Sequence, residues 1–151
     1  MSDKPRFAYD SYRRFITMFG NVVMGIPHTV FEELLEAAKK RDGVRADSEL
    51  SAQTLQELIV PMKARVQEIT GRAFPNRPWG QLRLSIDAVF ASWHNDRAVA
   101  YRQLHGIPED WGTAVNVQAM VFGNRGEDSG TGVVFTRDPS TGEKYLYGEF
   151  L

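Results

Sequence analysis

The chain has 151 residues, 42% apolar and 25% charged, the length and balance of one ordinary globular domain or of two small lobes, long enough to bury roughly two thirds of its unfolded surface. It has no cysteine, which excludes a disulfide framework, a Cys-ligated zinc or iron–sulfur site and a thiol nucleophile. Eighteen Lys and Arg against 19 Asp and Glu leave a net charge of -1, so no bulk field draws the chain to nucleic acid or to an anionic membrane.

The first half is helical in pattern. Phe7, Tyr12, Phe15, Ile16 and Phe19 recur at helical steps, and Gly20 is the expected stop. Pro27 precedes a second helix around Phe31–Arg41, with acidic residues early, basic ones late and Gly43 as C-cap. Ser51 reads as the N-cap of a third, through Leu55, Leu58 and Ile59 to Ile69, ending before Gly71. Pro61 lies inside it and is expected to kink or divide it. Phe74-Pro75-Asn76-Arg77-Pro78 is the best boundary, dividing the chain into residues 1–75 and 76–151. A fourth helix follows on the stripe Trp79, Leu82, Ile86, Val89, Phe90 and Trp93. A fifth, capped by Asn95 or Asp96, passes Ala98 and Tyr101 and closes at Gly106 and Pro108. From Gly112 the period changes. Thr113–Gly123 alternates polar and apolar residues, as a half-buried strand does. Asn124–Gly130 reads as a polar loop, Thr131–Thr136 as a second strand, Asp138–Gly142 as a turn and Lys144–Leu151 as a third strand. Helices followed by strands, without βαβ alternation, predict an α+β fold.

The strict catalytic motifs are missing: no Gly-x-x-x-x-Gly-Lys-Ser/Thr loop, no His-Glu-x-x-His, no Gly-x-Ser-x-Gly. His28, His94 and His105 stand near helix boundaries as surface or capping residues. Asp128–Gly132 could line an anion with backbone N–H groups, or be a hairpin loop whose glycines take positive φ. Asp138, Glu143 and Glu149 could offer oxygens to Mg²⁺ or be exposed strand carboxylates. Arg13-Arg14, Lys39-Lys40-Arg41 and Arg65 read as a solvated face, and Trp79, Trp93 and Trp111 as core or lobe-interface anchors. No apolar run approaches the ~20 residues of a membrane span, and Met1–Asp10 has no signal-peptide core. The expectation is a soluble, cytoplasmic chain with neither membrane nor nucleic acid as partner.

Read as words, the same residues are more specific. Phe7-Ala8-Tyr9-Asp10-Ser11-Tyr12-Arg13-Arg14-Phe15, Ala88-Val89-Phe90-Ala91-Ser92-Trp93 and Trp111-Gly112-Thr113-Ala114-Val115-Asn116-Val117-Gln118 closely resemble the nucleotide-binding region of the pyruvate, phosphate dikinase family. So do Met120-Val121-Phe122-Gly123-Asn124 and the run from Ser129 to Glu143, ending Tyr147-Gly148-Glu149-Phe150-Leu151. The resemblance covers nearly the whole chain from Arg6. It implies a helical subdomain followed by part of an ATP-grasp domain, which clamps ATP and Mg²⁺ between two α+β lobes. It further implies a homodimeric parent enzyme that converts ATP, phosphate and pyruvate to AMP, diphosphate and phosphoenolpyruvate. A phosphohistidine domain carries the phosphoryl group between the nucleotide site and a pyruvate-binding barrel.

Carried over by position, Gln118, Met120 and Val121 match the adenine-lining segment. Gly130, Thr131 and Gly132 match a glycine-bearing loop near the nucleotide. Glu149 matches the Gly-Glu step, where it could face ribose, Mg²⁺ or a partner of the metal, and Arg137 is a candidate for the phosphate side. The resemblance puts the family's phosphate-gripping Lys and Arg upstream of this chain and its main Mg²⁺ ligands downstream. None of the three histidines has the phosphocarrier context Gly-Gly-x-Thr-x-His, so no catalytic residue and no metal ligand is assigned, and the chain alone should not turn over. The expectation is a fragment of such an enzyme. The alternative is a stand-alone, non-catalytic nucleotide-binding or interaction module derived from it. A rifampicin-phosphorylating or phosphoenolpyruvate-synthesising relative ranks third, because Asn116–Asn124 fits the dikinase wording better.

Overall fold

Three amphipathic helices gather one apolar core, and local sequence explains where each begins and ends. The computed structural model describes residues 4–150. Helix α1 spans Pro5–Val22 and starts with a proline whose missing N–H costs nothing in the first turn. Helix α2, His28–Asp42, ends at Gly43, whose φ of 71° is the left-handed C-cap predicted from the sequence. Helix α3 is Ala52–Thr70; the Ser51 hydroxyl accepts the Thr54 N–H at 3.0 Å, and Gly71 closes it at φ 68°. Ile16, Phe19, Ile26, Phe31, Ala38, Leu58, Ile59, Met62, Val66 and Phe74 form the core of this bundle. Phe74 meets Phe15 and Phe19 edge-on, with ring centroids 6.1 and 5.4 Å apart.

Two expected breaks do not occur. Gly20 is no helix stop: it lies inside α1, buried under the Phe31 ring, and a Cβ there would come within 2.8 Å of Phe31 Cε2. A glycine chosen for close approach reads in sequence like a glycine chosen for a cap. Pro61 does not divide α3. A mid-helix proline costs about 3 kcal/mol. Leu58 and Ile59 before it, and Met62 and Val66 after it, are all buried in the same core, and each contributes about 1.5–3 kcal/mol. Continuity therefore outweighs the break.

The connector from α2 to α3 contains a single 3-10 turn, Asp47–Glu49, gripped by cations from α1 and α2. Arg6 donates to the carbonyls of Leu50 and Asp47 at 2.9 and 2.8 Å, while Arg13 and Lys39 reach the Asp47 carboxylate at 3.4 and 3.2 Å. Arg13 is therefore not part of a solvated face. It is 5% exposed and donates twice to Asp10 Oδ1, at 3.0 and 2.7 Å. Arg14 holds Oδ2 of the same carboxylate at 3.0 Å.

Beyond Phe74 the chain is thinly covered. Helix α4, Pro78–Ser92, has no buried residue. Helix α5, Asp96–His105, is capped by Asn95, whose side-chain oxygen accepts the Ala98 N–H at 2.8 Å. The tryptophans do not anchor a core as expected: Trp79 and Trp111 are exposed. Trp93 instead stacks under the Arg102 guanidinium, 4.1 Å from its ring centroid, and its carbonyl accepts from Arg102 Nη1, tying α4 to α5.

The chain divides into two compact units, residues 4–115 and 116–150. Composition shifts earlier, near Pro75, because Phe74 is the last buried apolar residue of the three-helix core. In the second unit β1, Gly132–Phe135, pairs antiparallel with β2, Tyr147–Phe150. The register sets Gly132 opposite Phe150, Val133 opposite Glu149, Val134 opposite Gly148 and Phe135 opposite Tyr147. The expected first strand, Thr113–Gly123, is absent: no ladder includes it among the described residues. Alternation marks a strand only when a neighbour supplies hydrogen bonds and a covered face. Among the described residues no helix is long and apolar enough to cross a membrane.

Candidate functional site

The residues matched to the nucleotide site by sequence all lie in the second unit. Gln118, Met120 and Val121 occupy the irregular segment before the loop, all exposed, Met120 at 71% and Val121 at 92%. This segment ends at Gly123, whose α-carbon faces the Gly130 carbonyl; a Cβ added there would sit 2.7 Å from the Thr131 Cβ. On the other side Gly132 opens β1, and a Cβ there would lie 2.8 Å from the Glu149 carbonyl oxygen. Gly130-Thr131-Gly132 is thus flanked by the end of the Gln118–Val121 segment and by the strand carrying Glu149. Gly132 does not take positive φ; the close approach of backbone is what demands glycine there, which replaces the hairpin-loop explanation at that position.

The loop between Gly123 and Gly130 satisfies itself. Ser129 Oγ accepts the N–H groups of Arg125 and Gly126 at 3.0 Å each and donates to the Gly126 carbonyl at 2.8 Å. These two amides are accordingly occupied rather than turned towards an anion. Glu149 shares a face of the hairpin with Val133, Phe135 and Tyr147, because paired and alternate residues of an antiparallel ladder point the same way.

Arg137 stands apart. It follows β1 at the far end from Gly132, with each strand residue adding about 3.3 Å, and its Nη1 donates to the Gly142 carbonyl at 3.2 Å. Asp138 is not a free oxygen donor: Oδ1 accepts the N–H groups of Ser140 and Thr141 at 2.7 and 3.0 Å, and Oδ2 accepts the Tyr145 hydroxyl. The Tyr145 bond, with the two amides, holds the Asp138 carboxyl below the usual carboxylate range, and the same bond pushes the Tyr145 phenol up. Asp-Pro-Ser-Thr-Gly signals the turn in sequence, but Tyr145 as its clasp has no sequence signal. The histidines do not converge: His28 Nδ1 lies 3.1 Å from Glu32, and His105 packs on Tyr101 at 4.2 Å between centroids. Among the described residues no group of three His, Cys, Asp or Glu could hold a metal ion.

An α+β chain with this apolar, glycine-bordered surface has the class features of a nucleotide-binding domain, and comparison with known proteins places it more closely. The family model of the pyruvate phosphate dikinase AMP/ATP-binding domain matches residues 24–148. The chain is 62% identical over 146 residues to the pyruvate, phosphate dikinase of Rhizobium meliloti and 57% over 148 to that of Clostridium symbiosum. It is 60% identical over 146 to the chloroplastic pyruvate, phosphate dikinase 1 of Arabidopsis thaliana. Each alignment covers 97% of this chain and 15–17% of the relative, so the chain spans about one sixth of the length of the relatives it matches. The chain belongs to the pyruvate, phosphate dikinase AMP/ATP-binding domain family.

Proposed function

We propose that this chain supplies part of the ATP site of a pyruvate, phosphate dikinase, with Gln118, Met120 and Val121 against the adenine. Gly130-Thr131-Gly132 and Glu149 lie on the ribose and phosphate side of that proposed site. The observation that carries the reading is the family match over residues 24–148, which includes every one of these residues except Glu149. Arg137 is retained as a phosphate-side group only through the family likeness, since its guanidinium is engaged by Gly142. The parent reaction would transfer a phosphoryl group from ATP to a histidine on another domain, releasing AMP and, with phosphate, diphosphate. Pyruvate bound in a separate barrel would then receive it as phosphoenolpyruvate, in a cytoplasmic homodimer. Mg²⁺ belongs to this proposal as the counter-ion of ATP. Because the described acids form no metal-binding group, none of them is assigned to it and no step is routed through it.

The test uses a hybrid in which this chain replaces the matching segment of the Rhizobium meliloti dikinase. Val121→Glu puts a charge where the reading puts the apolar adenine face, an environment hostile to an unpaired carboxylate. KM for ATP is expected to rise about tenfold or more, equivalent to roughly 1.4 kcal/mol. Exchange between pyruvate and phosphoenolpyruvate, which needs no nucleotide, is expected to stay unchanged. An unaltered KM for ATP would remove Val121 from the site.

A further inference from the structure

We propose that Asp138, through its clasp on Tyr145, is the positioning residue that fixes the β1–β2 register and so sets Glu149 beside Gly130-Thr131-Gly132. The proposal rests on the nucleotide-site reading above, and adds to it the device that aligns the site.

Three observations carry it. Asp138 is the only buried residue among the described residues of the second unit, although every apolar side chain of the hairpin is exposed. The unit has no hydrophobic core of its own to choose a strand register, and register is weakly specified where neither face is buried. The Asp138 carboxylate takes both amides of its turn, from Ser140 and Thr141, and reaches across to the hydroxyl of Tyr145 on the opposite arm. Its main chain closes the same turn, the N–H donating to the Glu143 carbonyl at 3.0 Å and the carbonyl accepting the Gly142 N–H at 2.9 Å.

The geometry leads directly to the site. Asp138 stands three residues after Phe135, and Tyr145 two residues before Tyr147, which face each other as the pair nearest the turn. Fixing those arms fixes every later pair, including Val133 with Glu149 and Gly132 with Phe150. A slip of one residue would turn Glu149 to the opposite face. It would also move Gly132 and Gly148 away from the two places on the ladder where the partner strand's backbone leaves no room for a Cβ. Asp138 therefore acts on nucleotide through the register and not by contact.

The test compares Asp138→Ala, Asp138→Asn and Tyr145→Phe in the same hybrid, beside Val121→Glu. Asn keeps an oxygen for the two amides and an amide group for the Tyr145 hydroxyl; Ala keeps neither. Asp138→Ala is expected to raise KM for ATP about tenfold, as the loss of charge-assisted hydrogen bonds allows. Its kcat and pyruvate exchange should remain unchanged, Asp138→Asn should restore most of the loss and Tyr145→Phe should fall between. If Val121→Glu raises KM and Asp138→Ala does not, the positioning proposal is overturned and the site reading stands. If neither does, the site reading fails first. Amide hydrogen exchange on the 151-residue chain gives an answer independent of turnover. Asp138→Ala should speed exchange across β1 and β2 and leave α1–α3 unchanged, and unaltered exchange in the strands would refute the proposal.

Discussion

Phe31→Ala should destabilise the chain by about 3–5 kcal/mol, the cost of emptying a fully buried aromatic site, measured by urea unfolding followed through helical circular dichroism. The Phe31 ring is 1% exposed and its tip abuts Gly20 of α1, so it is a close contact between α2 and α1. The complementary change has an unusual sign. Gly→Ala inside a helix normally gains up to about 1 kcal/mol. At Gly20 the new methyl meets the ring, and overpacking of this kind costs about 1–3 kcal/mol. Gly20→Ala is therefore expected to destabilise, and Gly20→Ala combined with Phe31→Leu to cost less than the two changes summed, as neighbours in one contact do. A stabilising Gly20→Ala would contradict the close approach of α1 and α2.

The second large effect is expected at Asp10. Burial alone pushes its carboxyl up, but the hydrogen bond and charge of Arg13, joined by Arg14, carry it below the ordinary carboxylate value. Asp10→Ala leaves the Arg13 guanidinium buried without its main partner, a loss of about 3–5 kcal/mol. Replacing both residues by apolar ones of similar volume should cost far less, since desolvation of the pair is then avoided. A depressed carboxyl stabilises the folded state above its unfolded pKa, and that contribution disappears as pH falls through the folded value. The wild-type chain should therefore lose this contribution as pH falls below the ordinary aspartate range, and Asp10→Asn should show a flatter acid limb. An identical acid limb in the two proteins would place the acid sensitivity elsewhere.

What was legible in sequence is mostly what local chemistry decides. Ser51, Asn95, Gly43 and Gly71 cap helices as their residue types require, and Asp-Pro-Ser-Thr-Gly turns the hairpin. The misreadings share a cause: each depends on a distant neighbour. Gly20 answers to Phe31, Pro61 to the core on both sides of it, and Arg13 to Asp10 and Asp47. The alternation of Thr113–Gly123 finds no strand to pair with. For the site the balance is reversed. Gln118, Met120 and Val121 are exposed, irregular residues with no local signature of binding, and only the family wording singles them out. The closeness of Gly123 to Gly130 and of Gly132 to Glu149 came from the fold, as did the Asp138–Tyr145 clasp.

The measurement that tests the central claim most directly is photolabelling of the hybrid dikinase with an ATP analogue carrying an azide on adenine, followed by tryptic mapping. Between Arg102 and Arg125 the sequence has no Lys or Arg, so Gln118, Met120 and Val121 fall in one peptide, Gln103–Arg125. Label in that peptide, suppressed by excess ATP, is the result predicted if these residues line the base. ATP-protected label confined to peptides outside this chain would contradict the account.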